Sequence, residues 1–153
     1  MQYILAPKHE LAESLFTRIA QSSDDEANYV IARDRACYAL LNTYPYSPGH
    51  VMVVPYRRVA DIADMTDDEL SDVMKLARRC QAALRKVMKP DGFNIGLNIG
   101  KVAGAGIAEH LHLHVVPRWL GDTNFMPVLS STVVLPEALN DLAAKLRTAL
   151  SQS

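Results

Sequence analysis

Three histidines alternate with leucines in one short stretch of the chain. His110, His112 and His114 are separated by Leu111 and Leu113. Alternate side chains of a strand share a face, so the pattern predicts three imidazoles in a row, with neighbours about 6.6–7 Å apart along the backbone and the leucines turned into a core. A merely solvated face would more readily use Lys, Glu or Thr, whereas imidazoles titrate near neutral pH. The spacing therefore indicates a chemical site.

Two kinds of chemistry fit histidines spaced in this way. A His-x-His pair can supply two zinc ligands, but a catalytic zinc takes a further ligand, often a carboxylate. The nearby carboxylates are Glu109, on the opposite face of the strand, and Asp122, which lies beyond Pro117. The alternative is covalent catalysis, in which a neutral imidazole attacks phosphorus and a second imidazole protonates the leaving oxygen. Clustered imidazoles should lower one another's pKa and keep the nucleophile neutral. We expect covalent catalysis and no metal ion.

A glycine-rich loop comes directly before the histidines. Gly100, Gly104 and Gly106 lack side chains, so backbone N–H groups there can approach an oxyanion closely. Lys101 and Arg118 are candidates for adding positive charge beside it. The sequence therefore predicts a phosphate cradle next to a nucleophile.

Length and composition describe one globular domain over residues 1–153. The chain is 49% hydrophobic and 22% charged, and a chain of this size needs no disulfide bonds to stabilise its core. The net charge is −1 with both signs mixed, so we expect no nucleic-acid partner. We also expect no targeting segment and no membrane span, and therefore a cytoplasmic protein. Cys37 and Cys80 should be buried free thiols.

Hydrophobic periodicity predicts the elements that position these residues. Helical spacing predicts helices over 9–21, after the capping box Thr66-x-x-Glu69 as far as Pro90, and from Pro136 onward. Short or alternating apolar runs predict strands over 29–32, 36–41, 50–55, 93–98, 110–119 and 132–135. Short connections favour an antiparallel sheet with helices packed on it, which is an α+β fold.

The amino-acid sequence closely resembles those of the histidine-triad (HIT) family. The family motif His-φ-His-φ-His-φ-φ reads HLHLHVV here, and the upstream element PGH is present at 48–50. The resemblance runs from Tyr29 to about Leu139. AGAG before the triad and RWLGDTNFMP after it are similar to the bacterial branch related to diadenosine-tetraphosphate phosphorylases and hydrolases.

The resemblance implies both a fold and an activity. The family fold is a five-stranded antiparallel sheet with two main helices, usually paired as a homodimer through a continuous sheet. Here residues 1–27 would add an N-terminal helical extension. The implied activity is cleavage of the α-phosphate linkage of a dinucleoside polyphosphate through an AMP-histidine intermediate, with water or phosphate taking the AMP. There are two alternatives: hydrolysis of small adenylates such as aminoacyl-AMP, and nucleotide binding with vestigial catalysis.

The resemblance also assigns roles to individual residues. His112 matches the nucleophile, while His110 and His114 match the histidines that orient it and handle the phosphate oxygens and leaving group. His50 matches a fourth active-site histidine, and Asn42 matches a residue that binds the ribose hydroxyls. The implied phosphate contacts are Asn98, Gly104, Ala105 and Gly106.

Two departures from the family pattern modify these expectations. Many members carry Gln or Ser at the positions of Gly106 and Ile107, so backbone donors must hold the phosphate here. Relatives in this branch often carry Cys-x-x-Cys as half of a zinc site, where this chain reads Ser14-Leu15-Phe16-Thr17. Because Ser and Thr are not usual zinc ligands, we expect no cofactor, with Mg²⁺ only as a counter-ion of the substrate.

Overall fold

The computed structural model describes residues 8–45, 47–122 and 136–153. In chain order the elements are α1 (Lys8–Gln21), β1 (Val30–Arg33), β2 (Cys37–Leu41), β3 (Val51–Pro55), α2 (Asp67–Met88), β4 (Gly92–Leu97), β5 (Leu113–Arg118) and α3 (Pro136–Ser151). Single 3-10 turns lie at Ile62–Asp64 and Lys101–Ala103. The strand predicted over 132–135 lies outside the described residues.

The strands form one five-stranded sheet in the order β1-β2-β3-β5-β4. Every neighbouring pair is antiparallel. Successive strands β1, β2 and β3 lie side by side, whereas α2 and β4 intervene in the chain before β5 returns to pair with β3. The α+β fold with two main helices and an N-terminal helix is therefore confirmed.

The alternating side chains of the sheet contribute to a hydrophobic core on each of its two sides. The core on one side packs beneath α2 and α3, and its strand residues are Ile31, Cys37, Ala39, Leu41, Val51, Val53, Leu113 and Val115. The core on the other side packs beneath α1, and its residues are Phe16, Ile19, Val30, Tyr38, Leu40 and Val54. Cys37 and Cys80 are both buried and free, as expected.

The helix α2 begins with the predicted capping box. Thr66 Oγ1 accepts from the N–H of Glu69 at 3.1 Å, and Glu69 Oε1 accepts from the N–H of Thr66 at 3.2 Å. The helix ends at Met88, and Lys89 takes the left-handed conformation with φ of 53°. None of the helices within the described ranges has both the length and the apolar character needed to cross a membrane.

The strand β5 is shorter than the strand predicted over 110–119. It begins at Leu113, where both neighbouring strands make their last pairing: Val53 of β3 and Leu97 of β4 lie opposite the same residue. Neither neighbour pairs with the chain beyond this point, although β3 itself runs on to Pro55, so the ladder stops here. Among the three histidines, only His114 therefore lies within the strand.

The segment before β5 is held by other hydrogen bonds. Pro55 ends β3 and has no N–H to donate to a ladder. The N–H of Leu111 instead donates to Val59 O at 2.7 Å, in the chain that follows β3. His110 and His112 lie on this segment, so their positions depend on packing as well as on strand geometry.

The turn before β3 packs closely against α2. Gly49 has φ of +80°, and a Cβ at this position would lie 2.5 Å from Met88 Sδ and 3.2 Å from Leu84 Cδ2. The buried Ser47 donates from Oγ to Pro117 O at 2.8 Å. These contacts fix the backbone from which His50 projects.

We expect Gly49→Ala to lower the free energy of unfolding by about 2–4 kcal/mol, because it adds left-handed strain and a steric overlap. Urea denaturation would measure the change. Gly92→Ala is the matched control, since a Cβ there meets nothing within 4 Å; it should change stability by less than about 1 kcal/mol. Equal losses in the two variants would contradict the role given to Gly49.

Candidate active site

A cavity of about 390 Å³ opens on the side of the sheet that α1 covers. Its volume is within the ~300–1,000 Å³ usual for small-molecule sites. One part of the wall is apolar and includes Leu15, Phe16 and Ile19 of α1. Another part of the wall carries polar and glycine residues, which are Asn98, Gly104, Gly106, His112 and His114.

The structure brings most of the sequence-predicted site residues to this cavity. His112, His114, Asn42, Asn98, Gly104 and Gly106 line it. His50 lies directly behind His114, with their ring centroids 5.0 Å apart. The remaining four predicted residues do not line the cavity: His110, Ala105, Lys101 and Arg118.

The hydrogen bond made by His112 defines its tautomer. Its Nδ1 lies 2.9 Å from the carbonyl oxygen of His110. A carbonyl can only accept, so Nδ1 must carry the proton and donate it. In the neutral ring Nε2 then keeps its lone pair, which is the form of imidazole that can act as a nucleophile.

A second chain of hydrogen bonds fixes the tautomers of His50 and His114. Asn42 Oδ1 accepts from the N–H of Tyr44 at 2.9 Å, so its Nδ2 faces His50 Nδ1, at 3.4 Å. With Nδ1 accepting, His50 Nε2 carries a proton and donates it to His114 Nδ1, at 2.8 Å. A neutral His114 therefore holds its own proton on Nε2 and presents a donor.

His110 supports the site from within the protein. Its ring is fully buried, and Nε2 donates to Pro55 O at 2.8 Å. The ring of Phe16 packs against both His110 and His112, with centroid distances of 5.3 Å in each case. These contacts fix the carbonyl that orients His112.

Burial keeps these imidazoles neutral. It lowers the pKa of His50 to about 3, and repulsion from His114 and His112 adds to the effect. Burial is also the main cause that lowers the pKa of His114, to about 4, with His112 contributing. The pKa of His112 is lowered by burial, against the opposing effect of its bond to the His110 carbonyl. Mutual repulsion, the cause expected from the sequence, is therefore secondary to desolvation.

The glycine-rich loop follows β4. Gly100 and Gly104 take positive φ values of 83° and 91°, which an L side chain rarely adopts. A Cβ at Gly104 or Gly106 would meet no atom within 4 Å, so side-chain-free space faces the cavity there. Ala105 is buried, and its N–H donates to Gly100 O at 3.4 Å within the loop.

The two predicted cations do not line the cavity. Lys101 is exposed at the start of the 3-10 turn in the loop. Arg118, at the end of β5, forms an ion pair with Asp122 at 2.7 Å, and its Nη1 donates to Asn94 Oδ1 at 2.6 Å. The charge of Arg118 is thus compensated by a neighbouring carboxylate.

The stretch that the family resemblance compares with Cys-x-x-Cys contains no cysteine in this chain. Phe16, within the stretch that replaces Cys-x-x-Cys, is buried against two histidines. The carboxylates considered as ligands are engaged elsewhere, since Glu109 pairs with Arg58 and Asp122 pairs with Arg118. Within the described residues no three His, Cys, Asp or Glu side chains are grouped to hold a metal ion.

Sequence reasoning missed two parts of this arrangement. Helical spacing over 9–21 predicts an apolar helix face that includes Phe16, but nothing local shows which residues that face will meet. Asn42 was expected to bind ribose, and its contact with His50 was not foreseen. A signal existed, since Asn42 follows the predicted strand 36–41 and His50 begins the predicted strand 50–55; the N–H of Asn42 donates to His50 O at 2.9 Å.

The fold and the histidine site together define the class of protein. The family model described as HIT domain matches residues 24–119. The chain belongs to the HIT family.

Individual relatives narrow the comparison. The chain is 49% identical over 133 residues to a protein of Mycobacterium tuberculosis named AP-4-A phosphorylase, covering 87% of this chain and 68% of that protein. It is 37% identical over 93 residues to the asymmetrical bis(5'-nucleosyl)-tetraphosphatase of Schizosaccharomyces pombe, covering 61% of this chain and 50% of that protein. A zinc-bound histidine triad family protein from Mycobacterium smegmatis superposes with a TM-score of 0.73 at 30% identity, covering 92% and 96% of the two chains.

The low pKa of His50 predicts a loss of stability in mild acid. Below pH 6.5 the unfolded chain binds a proton at this residue, whereas the folded protein stays neutral until about pH 3. Between pH 7 and pH 5 the free energy of unfolding should fall by about 1–2 kcal/mol more in the wild type than in His50→Gln, which cannot titrate. Urea denaturation of both proteins at the two pH values measures this difference. An equal fall in the free energy of unfolding in both proteins would refute the lowered pKa of His50.

Proposed function

We propose that this protein cleaves dinucleoside polyphosphates such as diadenosine tetraphosphate at the α-phosphate, through an AMP-histidine intermediate on His112. One observation carries the proposal: the bond from His112 Nδ1 to the His110 carbonyl leaves Nε2 with its lone pair, on a residue that lines the cavity. The names of the M. tuberculosis and S. pombe relatives support this class of substrate.

In the first step, Nε2 of His112 attacks the α-phosphorus. An N–P bond forms while the bond from phosphorus to the bridging oxygen breaks. From diadenosine tetraphosphate this step releases ATP and leaves AMP on the histidine. The backbone donors of the glycine-rich loop would stabilise the negative charge on the phosphoryl oxygens.

His114 is suited to assist the leaving group. The hydrogen-bond chain from Asn42 through His50 places its proton on Nε2, where it can be donated to a phosphate oxygen. A bound polyphosphate brings negative charge, which raises the pKa of the imidazoles beside it. The low pKa of His114 without substrate would therefore rise when a polyphosphate binds.

In the second step we propose that inorganic phosphate takes the AMP. A phosphate oxygen attacks the phosphorus, the N–P bond breaks, and ADP leaves with His112 restored. The relative named AP-4-A phosphorylase supports phosphate over water. So does the loop, where Gly106 replaces a polar side chain and leaves open space. Lys101, or Arg118 after exchange of its carboxylate partner, would attract the phosphate.

The assembly we propose is a homodimer. Among the described strands, β4 has a neighbour on one side only, so its outer edge can pair with another strand. Ile95 on this strand is 41% exposed. Pairing of two β4 strands would form the continuous sheet that the family resemblance implies.

We further propose a cytoplasmic protein without a metal cofactor and without a nucleic-acid or membrane partner. Two free thiols suit a reducing compartment, and a net charge of −1 does not favour a nucleic-acid backbone. The position of Phe16 against the histidines supports a metal-free site.

We expect His112→Ala to reduce kcat for diadenosine tetraphosphate by about 10³-fold or more, because it removes the atom that bonds to phosphorus. Binding of AMP, measured by calorimetry, should persist because the rest of the cavity remains. Activity within about tenfold of the wild type would exclude the covalent mechanism.

The acceptor is tested by the products. With diadenosine tetraphosphate and phosphate, chromatography should show ADP and ATP in equal amounts, at a rate that saturates with phosphate. Substitution of Lys101 by Ala should raise the KM for phosphate more than the KM for the dinucleotide. AMP and ATP as the products at all phosphate concentrations would make the protein a hydrolase.

A further inference from the structure

The turn between α1 and β1 forms part of the cavity wall. Ala27, Asn28 and Tyr29 line the cavity from this turn. Tyr29 O accepts from the N–H of Leu41 at 3.0 Å, which places the turn beside the end of β2, next to Asn42. The turn therefore lies on the side of the cavity that a nucleoside would occupy, given an α-phosphate at His112.

The amide group of Asn28 has a fixed orientation. Its Nδ2 donates to Ser22 Oγ at 3.2 Å and to Asp24 O at 3.0 Å, which uses both of its N–H groups. Within the described part of the chain no donor hydrogen-bonds to Asn28 Oδ1. The side chain can thus offer an acceptor to the cavity but no donor.

Arg33 holds the turn that sets this orientation. Its guanidinium donates to Ser22 O at 2.9 Å and to Ala20 O at 3.0 Å, and it pairs with Asp25 at 2.8 Å. Ser22 Oγ also accepts from the N–H of Asp24 at 3.1 Å. The turn thus holds in place the two acceptors of Asn28 Nδ2, which are Ser22 Oγ and Asp24 O. Rotation of the Asn28 amide would break both of these hydrogen bonds.

We propose that Asn28 selects the base of the nucleotide, with Oδ1 accepting a hydrogen bond from the exocyclic 6-amino group of adenine. A 6-carbonyl group, as in hypoxanthine, would set two acceptors against each other. The nearby side chains Leu15, Ile19 and Leu41 are apolar and suit the faces of a purine but cannot distinguish its edges. This inference rests on the proposed function, because it requires a nucleotide in the cavity with its phosphate at His112.

AMP and IMP provide the test, because they share ribose and phosphate and differ at position 6 of the base, with the linked change at N1. Calorimetry on the full chain should show AMP binding about tenfold more tightly than IMP. AMP gains one hydrogen bond to Asn28 Oδ1, whereas the 6-carbonyl oxygen of IMP faces that oxygen without a proton between them. In Asn28→Ala the two affinities should come within about twofold of each other, mainly because AMP binds less tightly. Asn140→Ala, an exposed change of the same kind on α3, should keep the wild-type ratio.

Ser22→Ala tests the orientation of the amide separately. It removes one acceptor that holds Asn28 Nδ2, so the amide can turn and offer a donor to the cavity. The ratio of the dissociation constants of IMP and AMP should fall by a few-fold, chiefly because IMP binds more tightly. An unchanged ratio in Ser22→Ala would show that this bond does not fix the amide and would overturn that part of the proposal.

The outcomes separate this inference from the proposed function. If the wild type cleaves diadenosine tetraphosphate but binds AMP and IMP equally, base selection by Asn28 is wrong and the chemistry at His112 stands. The same holds if Asn28→Ala keeps the wild-type ratio. If the wild type binds neither nucleotide and cleaves no dinucleotide, the proposed function fails and this inference fails with it.

Discussion

The hydrogen bond from His112 Nδ1 to the carbonyl of His110 connects the fold to the chemistry. It assigns the proton to one ring nitrogen and the lone pair to the other. The carbonyl is held because its own residue is fixed twice: the His110 ring donates to Pro55, and the next N–H donates to Val59. The reactive atom is therefore oriented by backbone groups, with no carboxylate needed to hold the ring. Loss of any of these bonds would release the ring to rotate.

Burial serves reactivity at a cost in stability. A protonated imidazole has no lone pair for attack, and desolvation holds His50, His112 and His114 in the neutral form. The same desolvation favours the unfolded chain once the solution is acidic enough to protonate free histidine. Burial of the histidines by Phe16 and the sheet thus has two effects. It keeps the nucleophile neutral, and it limits the pH range in which the protein stays folded.

The sequence predicted those features that depend on local pattern. Helical periodicity located α1 and α2, and alternation at 110–114 indicated the line of histidines. The start of β5 could not be predicted, because it is set by where the pairing with β3 and β4 stops, at Leu113. The contact of Phe16 with His110 joins distant parts of the chain, and no local pattern encodes it. The pairing of Arg118 with Asp122 likewise depends on the turn after β5, in which the N–H of Asp122 donates to Trp119 O at 3.0 Å.

The order of the strands has a consequence for how the site assembles during folding. The apolar wall of the cavity uses contacts that are close in sequence, such as Arg33 with the end of α1 and Tyr38 Oη with Phe16 O at 2.8 Å. The histidines of the triad arrive only when β5 pairs with β3 across the intervening α2 and β4. Contacts of high sequence separation form late, since their loop-closure entropy must be overcome first. On a ribosome, the emerging chain would therefore form the apolar wall of the cavity before the histidines reach it.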